Sequence, residues 1–213
     1  MKHILTIIIL LCLKLYCKAQ TPVIPLNGGS SYGAISEAYY KDTENFFGQF
    51  EGTWIYSNNG TILKIVLKKK EMFYEDGIGI HFYTDYIIGE YQYIRNSIEI
   101  LNTLSNLNSN HNQINQYNIT GNTQIRGTLM PAACPECQRG EKRLLTYYTE
   151  PRTRNVVGLD TEMVFRRFTE NGVTKLKVWF YKVSGSYRVT WDGQPSDVET
   201  HLLPYGEYVL IKQ

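Results

Sequence analysis

The sequence predicts an all-β protein, an antiparallel up-and-down meander of about eight to ten strands. Three observations carry that expectation. Short apolar and aromatic runs alternate with polar residues at a period of two. Asn-Gly and Asp-Gly pairs punctuate them, supplying the positive φ angles that tight turns need. Beyond residue 50, no long apolar stripe recurs at helical spacing. A meander keeps two exposed edges unless it closes on itself, so a barrel is expected over a sandwich.

The chain opens with Met1-Lys2-His3, an apolar run from Ile4 to Leu13, and Cys17-Lys18-Ala19-Gln20. A basic start, an apolar stretch too short to span a bilayer and a small residue at the cut read as a signal peptide, residues 1–19. Two other readings compete. An uncleaved anchor is interrupted by Lys14 and Lys18, and a lipidated Cys17 has the bulky Tyr16 before it where a small residue is wanted. Cleavage after Ala19 leaves an exported protein, in the periplasm, on the outer surface or in the medium, with no stable membrane insertion.

Residues 20–45 read as a lead-in or linker. Pro22, Pro25 and Asn27-Gly28-Gly29-Ser30-Ser31 work against regular structure, and Ile35 to Phe47 suits a short helix or coil, with Ser36 as its cap. Residues 46–213 form a single domain. Trp54 to Ser57, the turn Asn58-Asn59-Gly60 and Ile62 to Lys68 make one hairpin. A long aromatic strand from Ile78 to Arg95 carries a break near Gly89, and Asn96 turns it into Ile98–Asn102. Residues 102–122 are an asparagine-rich polar loop. Strands resume at Gln124–Leu129 and Leu144–Thr149. The clearest hairpin is Glu162–Phe168, the turn Glu170-Asn171-Gly172 and Thr174–Tyr181. In its second arm Leu176, Val178 and Phe180 alternate with Lys175, Lys177 and Trp179, one buried face and one wetter face. Asp192-Gly193 marks a further turn, and Tyr208–Lys212 closes the chain.

Losing Lys2, Lys14 and Lys18 with the leader turns a formal charge of +2 into −1. Such a chain has no global field to hold nucleic acid or an anionic membrane. The clusters Lys68-Lys69-Lys70 and Arg166-Arg167 read as solvated strand ends. Of 17 tyrosines, all but Tyr16 remain after cleavage, and they suit half-buried pleated walls or a binding surface.

Cys134 and Cys137, in Pro131-Ala-Ala-Cys-Pro-Glu-Cys, remain after cleavage. In an oxidising compartment a local disulfide is the first reading. A redox pair would want a helix N-terminus after the motif, and a zinc site a second ligand pair; neither is evident.

Phe50-Glu51-Gly52-Thr53-Trp54 opens the first strand, and its Gly-x-Trp resembles the opening motif of lipocalin-type barrels. There the indole plugs the closed end and pairs with an arginine near the last strand. In this chain the last strand offers Lys212. A wider resemblance rests on Phe50-x-Gly-Thr-Trp54, Ile88-Gly-Glu-Tyr-Gln-Tyr-Ile94, Met163-Val-Phe-Arg-Arg167 and Leu203-Pro-Tyr-Gly-Glu-Tyr-Val-Leu-Ile-Lys212. Together they are similar to a family of small exported flavobacterial proteins of unknown function, which implies compartment and fold and brings no catalytic residues.

No catalytic signature stands in its proper context. Gly29-Ser30-Ser31-Tyr32-Gly33 matches a hydrolase elbow, yet it sits in the lead-in, not between a buried strand and a helix. His81, Tyr83 and Asp85 alternate on one strand face, with Glu90 further on; this reads as a solvent-facing stripe before it reads as a metal or proton-transfer site. His111 and His201 read as loop residues. Glu99, Glu136, Glu141 and Glu150 offer carboxylates that sequence cannot pair. Asn59-Gly-Thr61 and Asn118-Ile-Thr120 match glycosylation sequons. The expectation is therefore a non-enzymatic protein without cofactor or metal, holding a small apolar or amphipathic ligand inside the barrel. Trp54, Tyr56, Phe82, Tyr91, Phe165, Trp179 and Trp191 are the candidate cavity or floor residues. An interaction module that binds protein or glycan through exposed aromatics and the asparagine-rich loop is the second expectation, and a hydrolase with an unrecognised site the third.

Overall fold

The computed structural model describes residues 21–28, 32–77, 79–127, 132–183 and 188–213. Its strands are β1 (Val23–Pro25), β2 (Tyr39–Lys41), β3 (Gly52–Asn58), β4 (Thr61–Asp76), β5 (His81–Arg95), β6 (Ile98–Asn102), β7 (Ile119–Arg126), β8 (Lys142–Tyr148), β9 (Val156–Val157), β10 (Thr161–Glu170), β11 (Val173–Lys182), β12 (Val189–Thr190) and β13 (Gly206–Lys212). No α-helix occurs among the described residues. The leader and the Gly29–Ser31 part of the elbow match lie outside them.

Eight strands form a closed circuit, β3-β4-β5-β7-β8-β10-β11-β13 and back to β3, each antiparallel to its neighbours. This is the expected up-and-down barrel. The hairpin turns are set by local chemistry. Asn59 and Gly60 between β3 and β4, and Asn171 and Gly172 between β10 and β11, all have positive φ, as a two-residue turn matched to strand twist demands.

Alternation then decides the interior. Leu63 and Ile65 on β4, Tyr91 on β5, Met163 and Phe165 on β10, and Leu176 and Val178 on β11 are all fully buried in one cluster. At one end, the stretch before β3 folds under the barrel. Phe46, Phe47 and Phe50 surround a single 3-10 turn at Phe47–Gln49 and close that end together with Trp54. Asp42 holds the turn by accepting hydrogen bonds from the Phe46 and Phe47 N–H groups, both at 2.8 Å. The Trp54 Nε1–H is satisfied by Phe50 O at 2.8 Å.

Four local expectations change. The Ile35–Phe47 stretch holds strand β2 in place of a helix, because long-range pairing outweighs local propensity: Tyr39 and Tyr40 pair in parallel with Tyr83 and Thr84 of β5. The Tyr39 hydroxyl also donates to buried Asp85 at 2.5 Å. β5 runs through Gly89 without a break. Glycine is needed there because a Cβ would sit 2.5 Å from Leu67 Cδ2 and 3.2 Å from Ile119 Cβ. β7 begins at Ile119 in place of Gln124, since Ile119–Gly121 pair with Ile87–Gly89 to close the barrel. Finally, Trp179 points out of the barrel as its parity requires, yet it is buried, because the cysteine loop covers it with Ala132, Cys134 and Cys137.

Candidate binding site

The site arises from the way β5 changes partners. At Ile87–Gly89 its edge pairs with β7; at Tyr83 and Thr84 the same edge pairs with β2. Between the two partners a groove of about 580 Å³ opens on the flank of the barrel. That volume lies within the usual range for ligand sites. One wall is the lead-in, with Leu26, Asn27 and Tyr32; the other is the asparagine-rich loop, with Ile114, Asn115, Tyr117 and Asn118. β7 supplies the floor from Thr120 to Gln124, and Tyr86, Tyr147 and Thr149 complete the lining.

Every one of these lining residues is uncharged. Amides and hydroxyls provide donors and acceptors together, and tyrosines provide apolar faces. The walls are fixed by hydrogen bonds. Asn122 Nδ2 donates to the Tyr32 hydroxyl at 2.9 Å, and that oxygen lies 3.3 Å from the Tyr86 hydroxyl. Burial, with Tyr32 and Glu75 nearby, pushes the Tyr86 phenol far up, so it stays neutral. Asn118 Nδ2 donates to Thr149 O at 2.9 Å. The loop hangs on buried Glu90, whose Oε1 accepts from Asn106 Nδ2 at 2.7 Å and from the Asn118 N–H at 3.1 Å. Desolvation raises the Glu90 carboxyl above its ordinary range. Two buried atoms of lining residues, Gln124 Oε1 and Thr149 Oγ1, find no hydrogen-bond partner among the described residues. A buried polar atom left so costs on the order of 1–3 kcal/mol, and both of these lie out of reach of water.

The seven aromatics expected to line a cavity do not converge. Trp54, Tyr91 and Phe165 belong to the packed interior, and Tyr56 packs against its edge, its ring 5.2 Å from that of Tyr208. Phe82 sits beside the lead-in, against Tyr32 and Tyr40 at 5.3 and 5.4 Å. Trp179 is under the cysteine loop, and Trp191 is 71% exposed. The interior is filled with side chains where a cavity was expected. Trp54, Leu63, Ile65, Tyr91, Phe165, Leu176 and Leu210 are all 0% exposed, so no water-sized void touches them. An eight-stranded barrel can be filled by side chains or can hold one small ligand; here these large side chains occupy it.

The other candidates are also separated. His81 pairs with Glu37 at the surface, at 2.5 Å, whereas Asp85 is fully buried against Tyr39 and the Met72 N–H, and Glu90 lies under the loop. Glu136 and Glu141 grip Arg166, and Glu99 holds Gln92 and Asn102. Among the described residues no group of three or more His, Cys, Asp or Glu could hold a metal ion. Cys134 and Cys137 form a disulfide, 2.05 Å between sulfurs.

One cluster gave no sign of itself in sequence. Glu150 and His201 meet at the other end of the barrel, both buried. Glu150 Oε1 accepts the N–H groups of Leu202 and Leu203 at 2.6 and 3.2 Å, fastening a roof strap over Phe180 and Tyr148. The Tyr148 hydroxyl reaches Tyr91 and Glu150 at 2.6 and 3.2 Å. Long-range pairs of this kind carry no local spacing signal.

The chain belongs to the Family of unknown function (DUF6705), whose model matches residues 1–213. No curated protein and no solved structure matches it.

Proposed function

We propose that this protein is an exported, non-catalytic binding protein that holds a neutral, hydroxyl-rich ligand, a glycan, in the groove at the β5–β7 seam. The observation that carries this reading is the lining, uncharged among the described residues and rich in amides, hydroxyls and tyrosines. A charged ligand would find no counter-ion among the described lining residues, and a purely apolar one would cover the amides and hydroxyls of the walls without pairing them. A sugar meets both needs, since its hydroxyls donate and accept while its C–H faces lie on tyrosine rings. The reading as a binder is supported by Glu141 and Glu150, which serve an ion pair and backbone hydrogen bonds outside the lining of the groove. Export is supported by the expected leader and by the disulfide, which persists in oxidising compartments.

Saturation-transfer NMR with malto-, cello-, laminari- and chito-oligosaccharides tests the reading, with polygalacturonate and heparin fragments as charged controls. One or more neutral series is expected to bind with Kd on the order of 0.1 mM. Gln124→Ala should weaken that binding while leaving the fold intact. Binding confined to the charged controls, or to an uncharged Ser/Thr/Gly peptide, contradicts it.

A further inference from the structure

A second cavity, of about 500 Å³, lies on the same flank, and Tyr147 and Thr149 line both. Its far side is formed by Val157, Leu159, Val183 and Trp191. Two large aromatics stand here in water, Tyr147 at 61% and Trp191 at 71% exposure. Trp191 is not on a free tail. The β9–β12 ladder pairs Val189 with Val157 and Thr190 with Val156, placing the residue before Trp191 in a sheet. Just after it, a tight turn is closed by Gly193 N–H to Thr190 O and Thr190 N–H to Gln194 O, both at 2.8 Å. The indole is thus presented on a built platform, its face open to a ligand.

The two cavities are also tied together structurally. Arg154 lines the second cavity, and its Nη2 donates at 3.0 Å to Gln116 O, in the loop between Asn115 and Tyr117 that walls the first. This bond engages one of the second cavity's charged groups. Glu162, another, accepts from the Tyr181 hydroxyl at 2.6 Å, and Asp160, the third in the lining, is not free either. Thr149 stands at the junction.

From this continuity we propose that the two cavities are one elongated site for an extended, neutral glycan chain, with Tyr147 as the platform shared by both halves and Trp191 as the distal platform. The inference rests on the function proposed above and adds to it the length of the ligand and the direction in which it runs. A chain that fills both halves gains its second set of contacts without paying again for association, so affinity rises steeply with length until both platforms are covered.

Isothermal titration of the purified protein with neutral oligosaccharides of two and six residues, from the series that binds, tests this. The six-residue ligand is expected to bind at least about ten-fold more tightly, and Trp191→Ala should bring it down to the two-residue affinity. Trp191→Phe should retain most of the gain. Because Trp54 and Trp179 are buried, the solvent-exposed tryptophan emission belongs to Trp191, and the longer ligand alone should protect it from quenching by acrylamide. Equal affinities for both lengths, with Trp191→Ala silent and its emission unprotected, overturn the two-part site and leave the groove reading standing. No binding of either length overturns both.

Discussion

Lys212 Nζ lies 5.3 Å from the centroid of the Trp54 ring. The last residue of β13 and the third of β3 are cross-strand partners, so the closing pair of the barrel places a cation over the indole that seals it. Gly52 belongs to the same arrangement: its φ is +122°, and a Cβ there would meet Lys212 Cε at 3.2 Å. The Gly-x-Trp motif is explained by this end of the molecule, where the chain bends in beneath a lysine stem.

The seal should therefore be unequal in its parts. Trp54→Ala removes the largest fully buried side chain and should cost about 3–5 kcal/mol, while Lys212→Met should cost about 0.5–1 kcal/mol. Urea unfolding of the two variants checks the order. Similar losses from both would mean that the cation, and not the burial, dominates.

The strands were legible in sequence to the extent that their determinants are local. Asn59-Gly60 and Asn171-Gly172 announce their hairpins, and the alternation about Leu176, Val178 and Phe180 shows which face turns inward. The barrel's closure was legible only as a requirement that edges be paired. Which strands meet, Ile87–Gly89 with Ile119–Gly121, depends on contacts far apart in the chain. The groove was hidden for the same reason, since it exists only because β5 passes from β7 to β2. The aromatic residues were recognised as important, but residue type alone does not distinguish a ring that fills the core, as Phe165 does, from one that stands in solvent, as Trp191 does.

Gly121 should tolerate no side chain. A Cβ there would lie 2.5 Å from Leu145 O and 2.7 Å from Thr146 Cα, both backbone atoms. Gly121→Ala is expected to lower stability by about 1–3 kcal/mol. A thermal melt within experimental error of the parent's would show that the seam is looser than described.

The roof should weaken in acid. His201 is buried, its Nδ1 3.3 Å from Thr153 Oγ1 and its Nε2 3.1 Å from Thr161 Oγ1. Desolvation lowers its pKa, with Glu150 opposing that fall and Arg152 adding to it; Tyr148 and Tyr205 pack around the ring. The folded state then binds fewer protons than the unfolded one. Its contribution is present above the ordinary histidine value near 6.5 and is lost as pH falls through the depressed folded value. Exchange of the Leu202 and Leu203 amides, corrected for intrinsic rate, should accelerate between pH 7 and pH 5. His201→Gln should flatten that difference, and an unchanged profile in the variant would assign the effect elsewhere.

The disulfide should act locally. It closes a loop with a sequence separation of 3, for which chain entropy gives about 2 kcal/mol. It also holds the cover over Trp179, whose ring lies 5.5 Å from the Arg143 guanidinium and 4.6 Å from Lys177 Nζ. In a Trp191→Phe background, reduction should make Trp179 more accessible to acrylamide while the barrel's far-ultraviolet dichroism persists. Loss of the whole fold on reduction would contradict a local role.

The most direct test is a crystal structure of the protein with a bound neutral hexasaccharide. The sugar is expected on the flank, over Tyr147 and beside Gln124, with Phe47, Phe50 and Trp54 unmoved inside the barrel. Sugar density within the barrel, with those side chains displaced, would contradict that placement.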